Sequence, residues 1–295
     1  TAGFKETGAE GAEAEKQLLA KVREYGMRCV GPNCLGVVNT HPDIRMDGCF
    51  AESLPERGNI GFVSQSGALG GGILNILKDL NLGFAQFISI GNQADVNAET
   101  ALEYWENEAD VEQILLYMES IQNPANFRKL ASRISRKKPI LALKAGRSAA
   151  GASAASSHTG SLAGADKAAN ALLAQSGVIR EYSLKDLFAT AKVFANCPIP
   201  KGNRVAIITN SGGPGIMATD AVCEHGMQMA KISDATKEKL RSFLPSAASV
   251  KNPIDMIASA PIEHYQQTLE TVIADENVDM IITIYLPFLG LKDID

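Results

Sequence analysis

Cysteine is scarce: five residues in 295, at Cys29, Cys34, Cys49, Cys197 and Cys223, with no C-x-x-C pair among them. Thiols this sparse exclude a disulfide-stapled fold, suggest no metal centre and fit a reducing cytoplasm. Excess charge is missing too. With 28 basic and 33 acidic residues the formal net charge is -5, so nothing draws the chain generally to nucleic acid or to an anionic membrane, although a local anion site stays open. No long apolar run occurs. The strongest late one, Met280 to Leu291, falls well short of the roughly 20 residues needed to span a bilayer. The chain opens on Thr1-Ala2-Gly3-Phe4 without initiator Met, basic n-region or apolar h-region, so no secretion signal is read. The abrupt start and end read as those of a fragment. What is present is a 45% hydrophobic content, which excludes a disordered chain and can build the cores of two or more domains.

From Asn59 onward short apolar runs end in small or polar residues and lead into amphipathic helices, the pattern of a parallel α/β sheet. The runs predict strands at Ile60 to Val63, Ala85 to Ile90, Gln113 to Met118 and Ile140 to Lys144, with a shorter one near Val178. Helices are predicted between them, at about 67 to 81, 98 to 108, 124 to 136, 162 to 175 and 183 to 195. Five such strands match a flavodoxin-like, doubly wound parallel sheet, in which ligands gather beyond the carboxyl ends of the strands. Pro and Gly punctuate Cys197 to Asn203 as a linker. Beyond it a second α/β unit begins with a strand at Val205 to Thr209, a Gly-rich turn, a helix from about Gly215 to Glu224 and a strand at Met280 to Ile284. Before residue 55 a helix at Ala9 to Glu24, a strand at Met27 to Val30 and a turn at Gly31 to Gly36 read as the tail of another α/β domain. The division expected is therefore 1–54, 55–197 and a truncated 198–295.

Chemistry should sit in the strand-to-helix loops. Gly61-Phe62-Val63-Ser64-Gln65-Ser66-Gly67 runs from a strand into hydroxyls and glycine, then a helix. Such a junction aims free N–H groups and the positive end of the helix dipole at an anion. Ser64 and Ser66 add hydroxyl donors, and Gly67 permits close approach. An ordinary Ser cap with a tight turn reads the same way, and the Lys of a Walker A loop is missing. The long segment Ala145 to Ser161 has the composition of a flexible linker, yet loops of this length within compact domains tend to be functional. It carries His158, whose imidazole can accept a phosphoryl group as a nucleophile or be an exposed bystander. Glu119 ends a predicted strand on the same sheet edge. Its carboxylate can accept a hydrogen bond from one imidazole nitrogen and leave the other as nucleophile, or simply be a solvated acid at a helix start. A second Gly-rich turn, Thr209-Asn210-Ser211-Gly212-Gly213-Pro214-Gly215, with Asp255 in Asn252-Pro253-Ile254-Asp255-Met256, offers a possible second anion or substrate site through Asn210, Gly212, Gly213 and Asp255.

These segments, with Gly31-Pro32-Asn33-Cys34-Leu35-Gly36, Gly91-Asn92-Gln93-Ala94-Asp95-Val96, Lys144-Ala145-Gly146-Arg147 and Ser156-Ser157-His158-Thr159-Gly160-Ser161, make the chain resemble the NDP-forming acyl-CoA synthetases. That family includes ADP-forming acetyl-CoA synthetase and the α subunit of succinyl-CoA synthetase, and the resemblance runs the length of the chain. It implies the reaction acyl-CoA + ADP + phosphate ⇌ carboxylic acid + CoA + ATP, through an acyl phosphate and a phosphohistidine. It further implies that His158 is the phosphorylated residue, that Glu119 hydrogen-bonds the phosphohistidine, and that Ser64, Ser66 and Gly67 start the phosphate-binding helix. By the same resemblance residues 1–54 are the end of a Rossmann-like CoA-binding domain. An ATP-grasp domain or subunit would bind ATP or ADP with Mg²⁺, and the complete enzyme would be an oligomer. The fragment alone would then be inactive, binding none of CoA, nucleotide or metal fully. Two other readings stand beside this: the synthetase-like part of a protein lysine acetyltransferase, and a CoA- or phosphate-binding module without turnover.

Overall fold

A computed structural model describes residues 2–153 and 166–287. The chain divides into two compact units between Cys197 and Pro198. In the first, α1 (Ala9–Glu24), β1 (Gly36–Asn39) and β2 (Met46–Cys49) precede β3 (Arg57–Ser64), α2 (Gly67–Ile76), β4 (Phe84–Ser89), α3 (Ala98–Trp105) and β5 (Gln113–Met118). Then follow α4 (Pro124–Ile134), β6 (Ile140–Lys144), α5 (Asp166–Gln175), β7 (Ile179–Glu181) and α6 (Leu184–Asn196).

The seven strands form one sheet in the order β2-β1-β4-β3-β5-β6-β7. The five from β4 to β7 are parallel, and their order is the flavodoxin-like 2-1-3-4-5. Strands covered on both faces read as continuous apolar runs, and residues 60–64 of β3 are all buried. On one face pack α3, α4 and α5 through Leu102, Trp105, Phe127, Ile134 and Leu173. Against the other lie α2 and α6, through Ile73, Leu77, Leu187 and Phe188. Two glycines are fixed by this packing. A Cβ on Gly61 would stand 2.9 Å from the Trp105 ring, and one on Gly70 would stand 2.7 Å from Phe87.

The first 54 residues differ from expectation in detail. Met27 to Val30 forms no strand; it is zipped instead to the loop after β4, with Val96 N–H donating to the Cys29 carbonyl at 3.0 Å and Cys29 N–H to the Asp95 carboxylate at 2.8 Å. The strands lie further on. β1 pairs antiparallel with β4 (Val37↔Ile88) and β2 with β1 (Gly36↔Cys49), so residues on both sides of position 54 share one sheet.

The second unit contains β8 (Arg204–Thr209), α7 (Gly212–Glu224), β9 (Gln228–Met229), α8 (Asp234–Arg241), β10 (Ile254–Asp255), α9 (Ile262–Ile273) and β11 (Met280–Ile284). These strands pair in parallel: β11 runs along one edge of β8, and the short β9 and β10 share the other. In the gap between them Asn252 acts as a missing strand residue. Its Oδ1 accepts from Ile207 N–H at 2.9 Å, and its Nδ2 donates to the carbonyls of Val205 at 2.7 Å and Ala230 at 3.0 Å. α7 starts three residues earlier than predicted, because the first N–H groups of a helix need no intrahelical acceptor and Pro214 therefore costs nothing in the first turn.

Candidate functional site: two strand-end anion cradles

In the 2-1-3-4-5 order the chain reverses direction across the sheet between β3 and β5, which opens a crevice at their carboxyl ends. Ser64, Gln65, Ser66 and Gly67 fill one side. Ser64 is fully buried, and its hydroxyl donates to the Ser66 carbonyl at 2.7 Å. Ser66 caps α2, its Oγ accepting from Leu69 N–H at 3.3 Å. That leaves the first-turn N–H groups of Gly67 and Ala68 without intrahelical acceptors, at the positive end of the helix dipole. A cleft of ≈ 290 Å³ opens there between Ser66, Gly67 and Ala68 and the segment Asn33, Cys34 and Leu35. A Cβ on Gly67 would come 3.2 Å from the Leu35 amide, so glycine keeps these walls close. Burial pushes the Cys34 thiol above its usual range, which keeps it protonated near neutral pH.

Glu119 fills the other side. It is buried just past the end of β5, as the sequence placed it. What the sequence did not single out is Gln65, buried between the two loops. Its Oε1 accepts from the N–H groups of Glu119 at 2.5 Å and Ser120 at 2.9 Å, while its Nε2 donates to the Ser120 carbonyl at 2.7 Å. One strand further, Lys144 is buried at the end of β6, its ammonium donating to the Ala145 carbonyl at 2.6 Å. Burial lowers its pKa, as does Arg180, while Asp166 and Glu119 pull the other way. His158 lies outside the described residues.

The second unit repeats the device. Thr209 Oγ1 donates to the Ser211 carbonyl at 2.9 Å, as Ser64 does to Ser66. Asn210, buried like Gln65, exchanges hydrogen bonds of 2.8 and 2.9 Å with the backbone of Leu286, just past β11. Gly215 presses on Thr209 with a Cβ distance of 3.1 Å, as Gly70 lies on Ser64 at 3.5 Å. The donors α7 offers are the first-turn N–H groups of Gly212 and Gly213. Asp255 faces them, its Oδ2 3.4 Å from a Cβ on Gly212 and its Oδ1 accepting from Ile257 N–H at 3.0 Å. The candidate residues Asn210, Gly212, Gly213 and Asp255 are thus adjacent, with the Asn210 amide engaged in holding the turn.

Comparison with known proteins identifies the family to which this fold belongs. The family model described as "Succinyl-CoA ligase like flavodoxin domain" matches residues 57–194, and that of the "Ligase-CoA domain" matches residues 205–289. The chain is 45% identical over 284 residues to the α subunit of ADP-forming acetate–CoA ligase II of Pyrococcus furiosus, covering 96% of this chain and 61% of the relative. It belongs to the NDP-forming acyl-CoA synthetase family.

Other members of this synthetase family differ in acid. The ADP-forming 4-hydroxybutyrate–CoA ligase of Nitrosopumilus maritimus is 37% identical over 97% of this chain and 41% of its own length. Among solved structures, the dinucleotide-forming acetyl-coenzyme A synthetase 1 of Ca. Korarchaeum cryptofilum, in complex with phosphate and ADP, superposes with a TM-score of 0.91 at 34% identity. That superposition covers 97% of this chain and 61% of the synthetase chain. The chain therefore spans about three fifths of the length of these acetate-activating relatives.

Proposed function

We propose that the protein carries the phosphoryl-transfer centre of an ADP-forming acyl-CoA synthetase, working as acyl-CoA + ADP + phosphate ⇌ carboxylic acid + CoA + ATP. The observation that supports it most directly is the pairing, across the crevice between β3 and β5, of an anion cradle at Ser64, Ser66 and Gly67 with the buried carboxylate of Glu119. In the first step phosphate attacks the thioester carbonyl; a C–O bond forms, the C–S bond breaks, and CoA leaves with acyl phosphate remaining. Next the lone pair of one His158 imidazole nitrogen forms an N–P bond. The P–O bond to the acyl group breaks, and the carboxylate leaves with its electron pair. The Ser66 hydroxyl and the first-turn N–H groups of Gly67 and Ala68 balance the charge on the phosphoryl oxygens, while Ser64 holds the turn through its hydrogen bond to the Ser66 carbonyl. Glu119 accepts from the other imidazole nitrogen, which fixes the ring's tautomer and stabilises the positive charge it gains. Finally an oxygen of the ADP β-phosphate takes the phosphoryl group and the N–P bond breaks, restoring the imidazole.

The turn at Asn210, Gly212, Gly213 and Asp255 is the second anion or substrate site in this reading. Residues 1–54 carry the end of the CoA-binding domain in this reading, although β1 and β2 within them complete the sheet of the first unit, and an ATP-grasp domain or partner subunit supplies the ADP site. In this reading Mg²⁺ travels with the nucleotide, as the family resemblance implies. The sparse cysteines, free among the described residues, favour the cytoplasm as the working compartment.

The test is phosphorylation of the full-length protein by ATP and Mg²⁺. Wild type should gain an acid-labile, base-stable phosphoryl group that His158→Ala abolishes. Equal labelling of the variant would sink the proposal.

A further inference from the structure

We infer that Gln65 is a positioning residue that holds Glu119 at a fixed reach from the anion cradle. This rests on the function proposed above and deepens it.

Gln65 is locked from two sides. Its backbone N–H donates to the Tyr117 carbonyl at 3.1 Å, carrying the β3–β5 ladder one residue beyond the strand. Its side-chain amide then spans the crevice to Glu119 and Ser120, with three hydrogen bonds between 2.5 and 2.9 Å, and it is only 4% exposed. An amide is the side chain that suits this place, since it accepts from two N–H groups with one atom and donates to a carbonyl with the other. A carboxylate cannot donate, and an apolar residue would leave three buried backbone groups unpaired.

The consequence is electrostatic as well as geometric. The N–H groups of Glu119 and Ser120 would otherwise face the crevice as a second set of anion donors. Gln65 occupies both, so these two backbone donors are not available to an anion and the donors on offer are the first-turn N–H groups of Gly67 and Ala68. The cradle itself does not depend on the Gln65 side chain. It is held by Ser64 on the Ser66 carbonyl, by Ser66 on Leu69 N–H and by the Gln65 backbone. Removal of the amide should therefore disturb the Glu119 side alone. The equivalent amide of Asn210, bonded to Leu286 in the second unit, shows the same device built around a different neighbour.

The experiment separates two half-reactions in the full-length enzyme. Arsenate-driven release of CoA from acetyl-CoA reports attack by the anion in the cradle and needs no phosphohistidine. The rate of phosphohistidine formation needs Glu119. Gln65→Ala should leave arsenate-driven CoA release within about threefold of wild type and slow phosphohistidine formation by roughly 10- to 100-fold, the scale of a misplaced catalytic group. Glu119→Gln should show the same split. Gln113→Ala, which removes a buried amide at the opposite end of β5, serves as the control for lost folding stability and should show no split. A Gln65→Ala enzyme with wild-type phosphohistidine formation would overturn the inference, as would equal losses in both half-reactions. A wild-type enzyme that never labels His158 would instead overturn the reading beneath it.

Discussion

Much of the chemistry turns on single residues whose partners lie far along the chain. Gln65 bonds residues 54 and 55 positions away, and nothing local sets it apart from any polar turn residue. The cradle was legible because hydroxyls and glycine between a strand and a helix have a local meaning; the amide tying it to Glu119 had none. Asp279 is a similar case in the second unit. Its carboxylate takes Nε and Nη2 of Arg204 and the Arg204 N–H at 2.8 to 2.9 Å, and the guanidinium holds its pKa down at about 2 from an ordinary 3.8. A carboxyl depressed in the folded state contributes stability that is fully present above its unfolded pKa and is lost as pH falls through the folded value. Chemical denaturation of wild type should therefore lose part of the second unit's stability between about pH 4 and pH 2. In Asp279→Asn that part of the pH dependence should be missing, which parallel denaturation curves across this window would measure.

At the scale of elements, the strands buried on both faces were the most readable. Gln113–Met118 and Ile140–Lys144 lie where their apolar runs put them, because burial on both faces favours apolar residues at nearly every position; the half-exposed edge strand Met280–Ile284 was marked by its Ile-rich run instead. The edge of the sheet was harder. Met46–Cys49 is largely exposed, so hydrophobicity does not mark it. Met27 to Val30 has a strand-like composition, but the β4–α3 loop takes its backbone groups. Asn252 carried no strand signal in the sequence, yet its side chain completes a sheet edge. Replacing it should be costly. Asn252→Ala strands Ile207 N–H and takes the donor from the Ala230 carbonyl, while the Val205 carbonyl keeps Ala230 N–H, and unpaired buried groups cost about 1–3 kcal/mol each. Urea denaturation should show the second unit destabilised on that scale. A variant within experimental error of wild type would mean that water, and not the amide, satisfies those groups.

For the whole molecule, two units meet at an exposed run, Asn196 to Asn203, and each has its own core. Phe62 stacks with Phe84 and Phe87 at centroid distances of 5.4 and 5.7 Å in the first; the second packs Ile208, Leu240, Ile254 and Met256 around β8. The linker was legible from its Pro and Gly residues, and so was a Gly-rich turn after a strand in each unit; that Gln65 and Asn210 hold those turns alike was not, because the partners of both amides lie far along the chain. Units with separate cores need not unfold as one cooperative system. Phe62→Ala removes a fully buried ring and should cost about 3–5 kcal/mol. If the cores are independent, calorimetry of this variant should show one transition moved down by several degrees and the other in place. A Phe62→Ala chain that melts in a single transition, shifted as a whole, would instead mean that the two cores support each other.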